Sequence, residues 1–193
     1  MKILHISDTH GKHRQLDGLP EADIIVHTDD FTEDGTEEEV MDFIEWFSGL
    51  PYPQKIFIAG NHDDCLYGAN IEGLPDNVHY LCNEGLTIDG IKFYGVPMFV
   101  HDDLDGIFPE LFSRIPDDTD VLLTHQPPLG ILDEQDGINF GDHALYKRVM
   151  EIRPKCHLFG HLHHTKDTYE VFRRVRFSNA GGGKYGRYAL LKI

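Results

Sequence analysis

The sequence predicts an α/β fold carried by one domain across residues 1–193. Two observations lead there. Short apolar runs of strand length (residues 3–6, 24–26, 55–59, 121–123 and 155–159) are interleaved with stretches in which apolar residues recur at helical spacing, an order that starts as βαβ and takes on antiparallel pieces later. Those runs also stop abruptly at Asp, Asn or His, and open α/β sheets place their sites beyond the carboxyl ends of strands.

In chain order, residues 3–6 and 24–26 read as buried strands, with Gly18, Pro20 and Asp23 marking the turn between them. Thr36-Glu37-Glu38-Glu39 is a capping box that opens a helix through Val40, Phe43, Ile44 and Phe47, and Gly49 and Pro51 end it. Residues 55–59 form the next strand and deliver Gly60-Asn61-His62-Asp63-Asp64. Residues 86–88 and 92–96 around Asp89-Gly90 read as a hairpin. Residues 97–106 read as a polar loop with His101, Asp102 and Asp103, and residues 108–115 as a short helix with Pro109 in its first turn. After the strand at 121–123 and a Gly- and Asp-rich loop, Asp142 caps a helix that buries Leu145, Val149 and Ile152. Strands at 155–159, 170–172, 175–178 and 188–193 finish the chain.

The composition narrows the function. A formal charge of −16 opposes a broad grip on a nucleic-acid backbone, so long nucleic acid is not an expected partner. A phosphate ester stays open if bound cations supply positive charge locally. No stretch is long and apolar enough to span a membrane, and the first apolar run, cut off at Asp8, lacks the features of a signal peptide. Cys65, Cys82 and Cys156 are odd in number and lack CxxC spacing, so the expected compartment is the cytoplasm.

The polar residues that end the runs form five groups: Asp8 with His10, Asp29 with Asp30, Asn61 with His62, His125, and His161 with His163. Each group alone reads as a turn or a surface pair; their occurrence in order after apolar runs is what points to a site. In an extended segment alternate residues share a face, so Asp8 with His10, and His161 with His163, are each expected to converge on one locus. Carboxylate, imidazole and amide donors without thiolates suit Mn, Fe, Zn or Ni.

This set resembles the calcineurin-like metallophosphoesterases, whose pattern is Asp-x-His, Gly-Asp, Gly-Asn-His-(Asp/Glu), a separate His and Gly-His-x-His. Here it stands as Asp8-Thr9-His10, Asp29-Asp30, Gly60-Asn61-His62-Asp63, His125 and Gly160-His161-Leu162-His163. The words around these motifs, among them Thr124-His125-Gln126-Pro127-Pro128-Leu129-Gly130, resemble the small metallophosphoesterase-domain-containing branch. The resemblance implies a sandwich of two mixed β-sheets flanked by helices. It implies two divalent metal ions, manganese foremost with iron, zinc or nickel as alternatives. Asp8, His10, Asp30 and His163 would hold one, and Asp30, Asn61, His125 and His161 the other, with Asp30 as the bridge. The implied reaction is hydrolysis of small phosphodiesters, cyclic nucleotides included, or phosphomonoesters by attack of a metal-bound hydroxide. His62, beside a ligand without being one, is the expected general acid, and Asp63 is expected to hydrogen-bond its imidazole. Phe31 and His101 are candidates to contact a base, and Gly181 to Gly183 with Lys184 and Arg187 read either as an anion-binding loop or as a Gly-rich turn.

One departure stands out: Asp29 occupies the motif's glycine position. Asp is among the less costly replacements where a glycine conformation is needed. Its added charge is expected to lower turnover, so that Asp29→Gly raises activity. The alternative it raises is a catalytically impaired or non-catalytic interaction module on the same fold. Metal-dependent amide hydrolases also use paired histidines, but their usual barrel needs more residues than this chain has.

Overall fold

A strand that is apolar along its whole length, like residues 24–26, has to be covered on both faces. The computed structural model, which describes residues 1–165 and 168–193, meets that demand with two sheets packed face to face and helices on the outside. The chain begins with β1 (Lys2–Ile6), β2 (Ile24–His27), α1 (Glu37–Gly49) and β3 (Gln54–Phe57). It continues through β4 (Val78–Tyr80), β5 (Glu84–Ile88), β6 (Ile91–Val96), α2 (Val100–Leu104), α3 (Phe108–Ser113) and β7 (Val121–Thr124). A small ribbon, β8 (Glu134–Gln135) with β9 (Ile138–Asn139), precedes α4 (His143–Ile152), β10 (Cys156–Phe159), β11 (Tyr169–Phe172), β12 (Val175–Asn179) and β13 (Ala189–Lys192).

The first sheet has the order β13-β1-β2-β3-β4, and the second the order β11-β12-β10-β7-β6-β5. In the first, β1, β2, β3 and β4 are parallel neighbours and β13 is antiparallel. In the second, β6, β7, β10 and β12 are parallel, and β5 and β11 close the edges antiparallel. Both sheets are therefore mixed, with their parallel strands at the centre.

The inner faces meet through Ile3, Ile24, Val26, Ile56 and Ile58 on one side and Phe93, Val121, Leu123, Cys156 and Leu158 on the other. Outside the first sheet, Leu4, Ile6, Ile25 and Phe57 pack against Val40, Phe43 and Phe47 of α1. Outside the second, Leu122, Phe159 and Phe177 pack against Phe108, Leu111 and Phe112 of α3 and Leu145 and Val149 of α4. Each fully buried side chain of this size contributes about 2 kcal/mol by leaving water, so both covers are held firmly.

The local signals act as read. The Thr36 hydroxyl accepts from Glu39 N, and the Glu39 carboxylate accepts in return from Thr36 N. Asp142 caps α4 through Leu145 N. Asp89 and Gly90 both have positive φ, 49° and 78°, the turn that matches the twist of a tight hairpin. Two expectations are corrected. Residues 100–104 form a helix instead of a polar loop, and Ile152 is only partly buried. No helix among the described residues is long and apolar enough to cross a membrane.

Candidate metal centre

The strand-end groups all lie at one edge of the sandwich, beyond the carboxyl ends of β1, β2, β3, β7 and β10. The backbone stays zipped past the strands: Asp8 N donates to Asp29 O, His10 N to Asp30 O and Gly11 N to Phe31 O, each at 2.9 Å. Cross-ties join the sheets at the same edge, where Gly183 N donates to Ser7 O at 2.9 Å, Lys184 N to Asp8 O at 3.0 Å, and His161 N to Asp8 Oδ1 at 3.1 Å.

The side chains are aimed by backbone turns, not by strand alternation. Asp8, His10, Asp29, Asp30 and His161 have φ of 52°, 43°, 102°, 44° and 68°, sparsely populated for residues with a Cβ and costing on the order of 1 kcal/mol each. The extended-segment expectation is corrected accordingly. Asp8 and His10 do converge on one locus, but through left-handed turns. His161 and His163 point to different neighbours.

Two donor clusters result, and His10, Asp30 and His62 form a third donor set that overlaps both the first cluster and Asp30 of the second. In one, His163 Nε2 lies 3.0 Å from Asp8 Oδ1 and 3.2 Å from His10 Nε2. In the other, His125 Nε2 lies 2.6 Å from Asn61 Oδ1, 2.8 Å from His161 Nδ1 and 3.6 Å from Asp30 Oδ2. Asp30 Oδ2 is also 4.0 Å from His10 Nε2, so this one carboxylate stands between the clusters. The donor atoms of Asp8, His10 and His163, and those of Asp30, His125 and His161, fall within 4.8 Å of one another in each set.

The chemistry of this edge fits a cation. Two imidazole nitrogens facing each other need a proton or a metal between them, and burial disfavours the proton. Burial pushes His10 and His125 down to about 4 and His161 down to about 3, which leaves neutral rings with free lone pairs. Asp30 is held above the usual carboxylate range by burial and by the nearby charge of Asp8. Burial opposes ionisation of Asp8 too, but His163, His125 and Ser7 outweigh it and keep Asp8 ionised below the usual range.

Two glycines permit the crowding. A Cβ on Gly60 would stand 2.1 Å from Asp30 Oδ1, and one on Gly160 would stand 2.1 Å from Asp8 Oδ2. Those glycines mark places where a carboxylate packs directly on the backbone of the motif that follows it in space.

His62 sits at the same edge, with its ring edge-on to that of His10 and centroids 4.6 Å apart. Its Nδ1–H donates to the Glu33 carbonyl at 2.8 Å, and its backbone N–H donates to Asp30 Oδ1 at 2.9 Å. Burial works against protonation of His62, but the Glu33 carbonyl and the charges of Asp30, Asp63 and Glu33 outweigh it and raise its pKa. The expected pairing of Asp63 with this imidazole is corrected. Asp63 is fully buried and accepts from Thr32 N, Thr32 Oγ1 and Gly60 N instead, bracing the loop under the site.

Other expectations are revised as well. Phe31 is buried and stacked on Phe43 at 4.1 Å, so it belongs to the core and cannot meet a base. His101 is exposed and stacks on Tyr67 at 4.7 Å. The amides of Gly181, Gly183 and Lys184 are engaged by Asn179 Oδ1, Ser7 O and Asp8 O, so these three amides are not open to an anion. Ser7, Thr32 and Glu33 are supporting residues that the sequence did not single out. Their only signal was adjacency to a motif.

Two mixed sheets with a carboxylate shared between imidazole clusters at one edge define a metallophosphoesterase-type sandwich. The chain belongs to the calcineurin-like phosphoesterases, whose family profile matches residues 1–165. It is 35% identical over 189 residues to a UPF0046 protein of Caenorhabditis elegans, K07C11.7, covering 84% of this chain and 63% of that one. It is 32% identical over 197 residues to metallophosphoesterase domain-containing protein 1 of Homo sapiens, covering 84% of this chain and 60% of that one. The chain thus spans less than two thirds of the length of either relative. A cAMP/cGMP dual specificity phosphodiesterase of Mycobacterium tuberculosis is 27% identical over 213 residues, covering 92% of this chain and 66% of that one. A solved structure with a TM-score of 0.72 and 16% identity covers 98% of this chain and 94% of that one, and shows the same fold.

Proposed function

We propose that the chain hydrolyses small phosphodiesters, cyclic nucleotides among them, or phosphomonoesters with the help of two divalent cations, manganese foremost and iron, zinc or nickel as alternatives. The observation that carries this reading is the position of Asp30, whose Oδ2 lies 3.6 Å from His125 Nε2 and 4.0 Å from His10 Nε2, between two donor clusters. Asp8, His10, Asp30 and His163 would hold one cation, and Asp30, Asn61, His125 and His161 the other. When bound, such a pair neutralises phosphoryl oxygens and lowers the pKa of water toward ~7.

The protein's own residues do the rest. His62 is the general acid that gives a proton to the departing oxygen. Because its Nδ1–H is committed to the Glu33 carbonyl, the remaining nitrogen is the one free to exchange a proton with substrate. Asp63 acts at one remove, holding Thr32 and Gly60 where the loop must lie. The net charge of −16 disfavours long polyanions, and the relative named as a cyclic-nucleotide phosphodiesterase supports a small diester.

A panel tests this: the protein with Mn, Zn, Ni or Mg against aryl mono- and diesters, cAMP and cGMP, beside His62→Ala. The expected outcome is metal-dependent turnover that falls by about 10²–10⁴ in His62→Ala while both cations still bind. A protein that binds two cations and turns over nothing in the panel would be an interaction module instead.

A further inference from the structure

Asp29 is the residue whose place in the site the family pattern does not explain. Its φ of 102° lies in the region that favours glycine, its side chain is fully buried, and its Oδ2 has no hydrogen-bond partner among the described residues. A residue with a Cβ is costly there. What the side chain reaches is the far side of a proposed ligand: Asp29 Oδ1 stands 2.6 Å from His125 Nδ1, with both side chains at 0% exposure. The contact is at ion-pair distance but off the N–H axis, since Nδ1 has no in-line hydrogen-bond acceptor among the described residues. The Ser7 hydroxyl, whose shortest contact is Asp8 Oδ2, also lies 3.0 Å from the same Asp29 oxygen.

The opposite nitrogen of the same ring, His125 Nε2, faces Asn61, His161 and Asp30. The ring is thus held between a carboxylate on Nδ1 and the donor cluster on Nε2. Metal-binding histidines are commonly oriented this way, with a carboxylate on the far nitrogen that fixes the proton there and raises the basicity of the ligating one. The donor clusters contain Asp30 and not Asp29, so Asp29 does not occupy a coordination position.

We infer that Asp29 is a positioning residue that keeps the His125 proton on Nδ1 and presents Nε2 to the cation shared with Asn61, His161 and Asp30. This rests on the two-cation reading above. It also reverses the expectation from sequence: the extra carboxylate supports the site instead of impairing it.

Two measurements test the inference. In the first, Mn²⁺ is titrated calorimetrically into the wild-type protein, Asp29→Gly and Asp29→Asn. The expected result is an affinity loss of about 10–100-fold for one of two equivalents in Asp29→Gly, with the other equivalent unchanged and Asp29→Asn in between. In the second, the histidine side-chain ¹⁵N spectrum is recorded on the metal-free proteins. The wild type should show His125 protonated on Nδ1, and Asp29→Gly should show a mixture of tautomers. A merely structural role would shift the melting temperature without changing either readout.

Equal Mn²⁺ affinity in the wild type and Asp29→Gly, or faster turnover in Asp29→Gly, overturns the inference and leaves the phosphoesterase reading standing. Failure of the wild type to bind any divalent cation overturns that reading instead, and the tautomer spectrum still decides what Asp29 does. If Asp29→Gly does not fold, Asp29→Asn carries both measurements.

Discussion

The two sheets contribute unlike chemistry to the edge they share. The strands of the first sheet end in Asp8, His10, Asp30, Asn61 and His62, so both carboxylates of the donor clusters come from that side. The strands of the second end in His125, His161 and His163, imidazoles alone. The difference teaches how a buried site can be assembled before a cation arrives. One sheet brings negative charge at a cost, visible in the raised pKa of Asp30, while the other brings His125 and His161, which burial keeps neutral and which so add no repulsion.

The largest effect should follow from attacking the charged side. Asp30→Asn removes the shared negative charge and should lower metal-dependent diester hydrolysis on the order of 10³-fold, because cation-assisted charge stabilisation is worth several kcal/mol. His163→Asn exchanges an imidazole for an amide donor and should cost less. Kinetics at saturating Mn²⁺ check both, and equal losses would break the comparison.

Acid should weaken both sheets through histidines that do not belong to the donor clusters. His5 in β1 and His157 in β10 are fully buried, and burial pushes each down to about 3. In the unfolded chain they take up a proton near the ordinary ~6.5, while in the folded protein they stay neutral. Stability is therefore intact above ~6.5 and is lost as pH falls toward 3, by about 1 kcal/mol per pH unit for each. Urea unfolding at pH 7 and pH 5 measures the slope, and His157→Gln should reduce it by roughly half of this pair's share.

The pattern of strand ends was legible in the sequence because an apolar run that stops at Asp or His is a local signal. The direction of side chains past those ends was not. Asp63 follows His62 directly, yet the chain turns its carboxylate beneath the loop to Thr32 and Gly60. Asp8 and His10 were expected to converge as an extended pair and do so through positive φ, a conformation that no residue other than glycine announces. Phe31 lies next to Asp30 but its ring belongs to the aromatic stack with Phe43, a contact set by α1 more than ten residues away. The five-residue helix α2 has no capping side chain and too short a span to show a period.

Smaller changes probe the seam and the cover. Gly160→Ala would place a Cβ 2.0 Å from Ser7 Oγ and 2.1 Å from Asp8 Oδ2, forcing the two sheets apart where they meet. The expected cost is about 1–3 kcal/mol, a fall of roughly 2–4 °C in melting temperature per kcal/mol, together with weaker Mn²⁺ binding. Asp142→Ala removes only the cap of α4 and should lower stability by about 1 kcal/mol with Mn²⁺ affinity within about twofold of wild type. Calorimetry of both variants, with and without Mn²⁺, separates damage at the seam from damage to the cover.

The hydrogen bonds that continue the β1–β2 ladder past its strands, and those that tie Gly183 and Lys184 back to Ser7 and Asp8, have a consequence in solvent exchange. Loop amides ordinarily trade their protons with water quickly, through small local openings. The amides of Asp8, His10, Gly183 and Lys184 lie in loop or short-helix positions, but opening the first two means unzipping β1 from β2 within the first sheet, and opening the last two means parting the two sheets. They should hold deuterium back as long as the central strands do, so the edge that carries the chemistry is also among the last parts of the molecule to breathe.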